Sequence, residues 1–285
     1  MSSRRPKKQR GVSDGPENKR ALYVYCIGER AALEPLLGDK PPGAIETDAP
    51  LELVTSGGLA AVVSAVPLSD YGEQPLQARL ADPAWTALRA MRHEKVNEYF
   101  AARASVIPLR FGTIYLRRER VENLLSEKGN ELHAIIERLR GREEWGVNIY
   151  RDQAALMRAI GSLSPRLREL SERAAAAAPG QAYLLRKQID ALSADEARAE
   201  TKRVIAEVQR GLAEVSAGTA SLRLSSREVS EQGEVVAKLA FLVARARFDE
   251  FRAAAEELAR THAGAGFRLE LTGPWPAYNF STVTE

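Results

Sequence analysis

Apolar positions recur along this chain with two periods, and the period of two is clearest near the end. Phe267, Leu269 and Leu271 alternate with Arg268, Glu270 and Thr272, which predicts a half-buried strand. Gly273-Pro274 breaks it, and Pro274 and Pro276 restrict the backbone around Trp275 and Tyr278, so the strand is expected to end in a stiff aromatic corner. Read from the front, Ala21–Ile27 predicts a strand buried on both faces, closed by Gly28. Glu29–Leu37 predicts a short helix stopped by Gly38 and Pro41-Pro42. Leu51–Val54 and Leu59–Val66 flank Thr55-Ser56-Gly57-Gly58, a hairpin pattern. Pro67–Pro83 reads as a loop, after which Asp82-Pro83 caps a helix to about Arg103. Ala104–Tyr115 reads as a strand in which Pro108 marks an edge, a bulge or an end.

Val121, Leu124, Leu125, Leu132, Ile135, Ile136 and Leu139 fall at helical spacing, predicting one helix over Arg118–Arg140, ended by Gly141. Glu144–Tyr150 is the next strand, and Arg151-Asp152 opens a long helical region kinked or restarted at Ser164-Pro165. A second amphipathic run follows Pro179-Gly180, and Ser193 with Glu196 is either a capping box restarting it or exposed helical surface. Gly218 is expected to close that run. Strands are expected at Ser221–Ser226 and Val235–Ala244 around a Glu231-Gln232-Gly233 turn, then a helix carrying Phe248, Phe251 and Leu258. Both halves therefore read strand, helix, strand, strand, helix, strand. That order predicts an α+β chain of two ferredoxin-like (βαββαβ-type) modules, the second enlarged by a helical hairpin. The expected divisions are a basic, disordered tail over 1–20, an N-terminal module over 21–116, a linking helix over 117–141 and a C-terminal module over 142–285.

Length and charge sharpen this picture. The 285 residues suit two domains at about 100–200 residues each. Residues 1–20 hold seven Lys and Arg against two Asp and Glu, +7 − 2 = +5, while the whole chain is +3. The remaining residues therefore carry about −2, and the basic character belongs to the tail. That tail reads as a solubilising leader or as an electrostatic tether to an acidic partner. No apolar run is long enough to span a membrane, no secretory signal is expected, and the single Cys26 fits a reducing cytoplasm.

Candidate chemistry is sparse. His93, His133 and His262 fall in different predicted helices or their ends without ligand spacing; His93-Glu94 begins like a zinc-protease helix, but the position of a second ligand holds Asn97. His93 reads as a residue beside the apolar face of Val96 and Phe100, and His133 and His262 as helix-surface or helix-end residues. Cys26 lies within an apolar strand, where a thiol stays protonated. Gly57-Gly58 lacks the rest of a phosphate-binding loop, and the helical carboxylates alternate with Arg and Lys as on solvated faces. No catalytic residue, cofactor, metal site or small-molecule substrate is expected. Two places invite partner binding. Arg110, beside Phe111, would anchor an anion or a partner carboxylate, or else form a structural ion pair. Trp275, Tyr278 and Phe280 would form an interface cluster, or else fold back over the core.

Several stretches, in order, resemble the gas vesicle protein L/F family (GvpL/GvpF). They are Leu22-Tyr23-Val24-Tyr25, His93 with Val96, Val106–Thr113, Glu144-Trp145-Gly146-Val147, Ala182-Tyr183-Leu184 and Gly273–Phe280. Cys26, where a small residue is expected, and Asn279, where serine is usual, depart from that pattern. The resemblance implies an accessory protein of gas vesicle assembly, located at the vesicle and in the cytoplasm. Its implied partners are the major gas vesicle shell protein and other gas vesicle accessory proteins; no catalytic residues come with it. The competing expectation is a ferredoxin-like nucleic-acid-binding protein using the basic tail. That reading is weakened by the lack of an aromatic, basic sheet face.

Overall fold

The computed structural model describes residues 20–224, 229–230 and 233–282. All but Arg20 of the expected tail, the Ser225-Ser226 end of one expected strand and the Glu231-Gln232 part of the expected turn lie outside the described residues. The chain divides into two compact units, one running to Ala134 and the other from Ile135.

The first unit runs β1 (Arg20–Glu29), α1 (Arg30–Gly38), β2 (Leu51–Ser56), β3 (Leu59–Pro67), α2 (Leu68–Tyr71), α3 (Glu73–Leu80), α4 (Pro83–Ala101), β4 (Val106–Pro108), β5 (Ile114–Tyr115) and α5 (Arg118–Glu127). Its sheet is antiparallel in the order β2-β3-β1-β4, and β5 also pairs with β1. Tyr23 and Tyr25 on β1, Val62 on β3 and Leu33 on α1 close a core with Val96 and Phe100 of α4. The β2–β3 hairpin turns at Gly57-Gly58, and Asp82 caps α4 by accepting from the Ala84 and Trp85 amides.

Three segments depart from the sequence reading. The stretch after Pro67 is helical, as α2 and α3, because Tyr71 and Leu76 supply apolar side chains to the core. The expected strand Ala104–Tyr115 is split into β4 and β5: Gly112 has a φ of 85°, and the Arg110 carbonyl accepts from the Thr113 amide. The expected helix Arg118–Arg140 is two helices, α5 and α6 (Gly129–Leu139). They part at Lys128, ahead of the poor helix formers Gly129 and Asn130.

The second unit continues with β6 (Arg142–Arg151), α7 (Gln153–Leu163), α8 (Pro165–Ala176), α9 (Pro179–Ala213), β7 (Gly218–Leu222), β8 (Val229–Ser230), β9 (Gly233–Ala244), α10 (Phe248–Ala263) and β10 (Phe267–Trp275). Its sheet is antiparallel in the order β10-β6-β9-β7, with β8 beside β9. Val147 and Ile149 of β6, Phe241 of β9, Val204 and Val208 of α9 and Phe251 of α10 fill one core. Tyr23–Ile27 and Leu269–Leu271 thus lie in different sheets.

Ser164 caps α8 through the Leu167 amide, so the chain restarts there. No restart occurs at Ser193. Its hydroxyl donates back to the Ile189 carbonyl inside the unbroken 35-residue α9, while Glu196 accepts from Ser164. Gly218 opens β7 instead of closing the helix, which ends at Ala213.

Candidate partner-binding surface

The strand expected to break at Gly273-Pro274 instead runs on to Trp275 through a register shift, and the aromatic corner at its end is built from two stretches about 130 positions apart in sequence, brought together by the β6–β10 pairing. Leu271 sits opposite Val147 and Thr272 opposite Gly146; the register then shifts, and Trp275 stands opposite Glu144. Gly273 lets the chain turn there with a φ of 120°. A side chain at that position would meet the Glu144 carbonyl at 3.1 Å and the Trp145 ring at 3.3 Å. Gly146 serves the opposite strand: a Cβ there would stand 2.5 Å from Thr272 Oγ1. Thr272 Oγ1 in turn accepts from Trp275 Nε1 at 3.2 Å. On the other side, the Trp145 ring stacks on Phe248 with centroids 4.2 Å apart.

A buried carboxylate fastens the far end of the corner. Glu144, 4 % exposed, accepts from the Asn279 amide at 3.0 Å and from Asn279 Nδ2. Burial raises the Glu144 pKa above the usual carboxylate range, and the two Asn279 donors oppose that rise. Arg138 donates to the Phe280 carbonyl, and the Phe280 ring lies against Gly218 at the start of β7. A hollow of about 370 Å³ opens between them, lined by Arg138, Thr219, Leu242 and Asn279 among others. Beyond it, Glu270 on β10 accepts from Tyr150 Oη at 2.6 Å and from Asn148, which lower its pKa.

The predicted cluster therefore divides. Phe280 folds back onto β7 and Tyr278 is half-buried, whereas Trp275 stays 47 % exposed with its indole N–H bonded to the Thr272 side chain. Folding back thus occurs at Phe280, and Trp275 is left exposed.

The second predicted place divides as well. Phe111 turns inward, 5.8 Å from the His93 ring and 6.3 Å from Tyr23. Arg110 is exposed and has no ion-pair partner among the described residues; its carbonyl closes the turn with Thr113. The stretches behind the family resemblance in this unit converge on His93, which is fully buried. Tyr23 Oη lies 3.0 Å from Nδ1 and accepts from the Gly112 amide, and Asn97 lies 2.9 Å from Nε2. Burial depresses the His93 pKa to about 4, against a backbone hydrogen bond to Leu109 that raises it. The ring is therefore neutral and structural, with more polar partners than its helical position alone indicates. Tyr25 is its neighbour in this network: it bonds Ser64 and accepts from the Ile45 amide, and burial pushes its phenol up to about 12. Cys26 is fully buried and burial pushes its thiol up.

Of the two positions expected for His262, the helix end holds, since it lies in the last turn of α10, but the residue is 3 % exposed and faces Glu207 at 3.9 Å, because α10 packs on α9. Among the described residues no cluster of His, Cys, Asp and Glu is arranged to hold a metal, and no helix is long and apolar enough to cross a membrane. Sequence reasoning attached no role to Glu144 or Asn279. Both lie in stretches that carried the resemblance, but only the strand register makes them partners.

Comparisons with known proteins agree with that resemblance. A family model described as gas vesicle synthesis protein GvpL/GvpF matches residues 21–282. Gas vesicle protein L of Streptomyces sp. (strain CB03234) is 34 % identical over 271 residues, 93 % of this chain and 94 % of that protein. Gas vesicle protein F of the same strain is 28 % identical over 160 residues, 56 % of this chain and 61 % of that protein. Among solved structures, GvpF from Anabaena sp. PCC7120 superposes with a TM-score of 0.66 at 18 % identity, covering 93 % of this chain and 98 % of its own. GvpF from Microcystis aeruginosa does so with a TM-score of 0.60 at 19 % identity, covering 92 % and 99 %. The mixed helix-and-sheet architecture with two antiparallel sheets is shared with these structures.

Proposed function

The chain belongs to the GvpL/GvpF family of gas vesicle synthesis proteins, and from that premise we propose that it is a non-enzymatic assembly protein which holds the major gas vesicle shell protein, together with other gas vesicle accessory proteins, during shell formation. A role in gas vesicle formation comes with the family; the holding function and its partners are our reading. The strand orders β2-β3-β1-β4 and β10-β6-β9-β7 support our reading of residues 21–116 and 142–285 as two ferredoxin-like modules with 117–141 as the linking segment.

The observation that carries the reading is Trp275. A large aromatic held 47 % exposed, its ring bonded to the Thr272 side chain and the chain beyond it fastened by the Glu144–Asn279 bonds, is poised to bury area on a partner with little ordering cost. Arg110, exposed and without an ion-pair partner among the described residues, is a second contact point for a partner carboxylate, with Phe111 bracing its turn.

Co-expression with the major shell protein followed by pull-down tests the proposal. Trp275→Ala with Tyr278→Ser is expected to abolish capture while circular dichroism shows the fold intact. Undiminished capture by that folded variant would move the holding surface elsewhere.

A further inference from the structure

A different surface, in the first unit, is built for a partner of another chemistry. β5 is bonded to β1 on one side, through Leu22 opposite Tyr115 and Tyr23 opposite Ile114, and no strand covers its other side among the described residues. Such an edge accepts an extended main chain. Beside it lies an open hollow of about 510 Å³ lined by Ile114, Tyr115, Leu116, Arg117 and Arg120. Its floor is apolar, and Leu116 is 66 % exposed, which no packing within the unit accounts for.

The rim is cationic. Arg117 and Arg120 are exposed and have no ion-pair partner among the described residues. This sets them apart from other arginines of the chain, which lie beside a carboxylate three or four positions away: Arg30 with Glu34 in this unit, and Arg140 with Glu137, Arg203 with Glu200 and Glu207, and Arg247 with Glu250 in the other. Arg118, between them, is already matched to Glu52 at 3.1 Å, and Glu119 does not line the hollow. The α5 N-terminus that carries these residues has no side-chain cap, and Glu119 in its first turn offsets part of its dipole, so the positive field here rests on Arg117 and Arg120.

We propose that this hollow and the β5 edge dock an extended acidic segment of another protein, its carboxylates on Arg117 and Arg120 and a bulky apolar side chain between them on Leu116. A guanidinium pair suits carboxylates in fork geometry, and a free edge with an apolar floor suits a strand with alternating polar and apolar side chains. The exposed aliphatic Leu116 at the centre favours a protein side chain over a stacked base.

The test is fluorescence anisotropy with a labelled peptide of about ten residues alternating aspartate and leucine, at about 0.15 M salt, where long-range attraction is screened. The full chain is compared with Arg117→Glu/Arg120→Glu, with Leu116→Ser, and with Arg158→Glu/Arg210→Glu, which changes net charge equally on exposed helical positions elsewhere. The first variant is expected to weaken binding at least about tenfold and the second about threefold, with the control near wild type. Trp275→Ala is expected to leave the affinity unchanged, so this surface stands or falls separately from the aromatic corner. Equal losses in both charge-reversal variants would reduce the effect to net charge and overturn the proposal. Failure of the wild-type chain to bind, or tighter binding of a single-stranded oligonucleotide lost in the same variants, would overturn it as well.

Discussion

His93 and Glu144 are the two residues at which burial and polarity are most in tension, and they respond to pH with opposite sign. His93 is held neutral, its folded pKa of about 4 below the ordinary 6.5. Its contribution to stability is therefore complete above about pH 6.5 and is lost as the pH falls toward 4. A gap of that size amounts to about 3 kcal/mol. Urea denaturation between pH 7 and 4 should show this loss, and His93→Gln should flatten it by removing the titrating group. Glu144 is displaced upward, so ionised Glu144 is a cost at neutral pH that acid relieves. The two Asn279 donors offset that cost. Asn279→Ala removes the Nδ2 donor while the backbone amide at 279 remains, and is expected to destabilise the second unit by about 1–2 kcal/mol. Chemical denaturation would read the loss, and Trp275 fluorescence would report a loosened corner.

Among the elements, the β6–β10 pair decides the shape of the candidate site. Gly146 and Thr272 stand opposite each other so closely that a single methyl group at Gly146 overlaps Thr272 Oγ1. Gly146→Ala should cost about 1–3 kcal/mol by overpacking and release Trp275 from its Thr272 hydrogen bond. Adding Thr272→Ala removes the offending atom, and the double variant should recover part of the lost denaturation midpoint. If the double variant is no more stable than Gly146→Ala alone, the contact is not the cause. The same scale explains where periodicity failed. An apolar stripe reports that residues face a core but not where the backbone interrupts itself, so Lys128-Gly129 and the Arg110–Thr113 turn were hidden inside patterns that read as continuous. Ser193 and Glu196 show the converse: a cap-like spelling inside α9 whose side chains bond Ile189 and Ser164 instead.

For the whole molecule, the charge distribution makes a separable prediction. The chain is +3 with residues 1–20 and about −2 without them. If apolar docking on the folded units holds the shell protein, capture in the pull-down should persist after deletion of residues 1–20 and at about 0.5 M salt, where charge attraction is screened. Capture lost in both conditions would assign the holding to the tail. The two buried cores share no residue, one centred on Tyr23, Val62 and Phe100 and the other on Ile149, Val208 and Phe241.

The sequence by itself determined most of the element order, the β2–β3 hairpin, the cap at Asp82, a kink or restart at Ser164-Pro165, and a family whose motifs are local spellings. These are fixed by backbone preference and periodicity within a few residues, so a one-dimensional pattern holds them. Tertiary structure alone decided that Glu144 meets Asn279, that Gly146 yields space to Thr272, that His93 gathers Tyr23 and Gly112, and that His262 is covered. It also decided that Trp275 and Arg110 face outward while Phe280 and Phe111 turn in. Each of these depends on strand register or helix packing between residues far apart in the chain, and a shift of one position in register would reverse which side chains reach solvent.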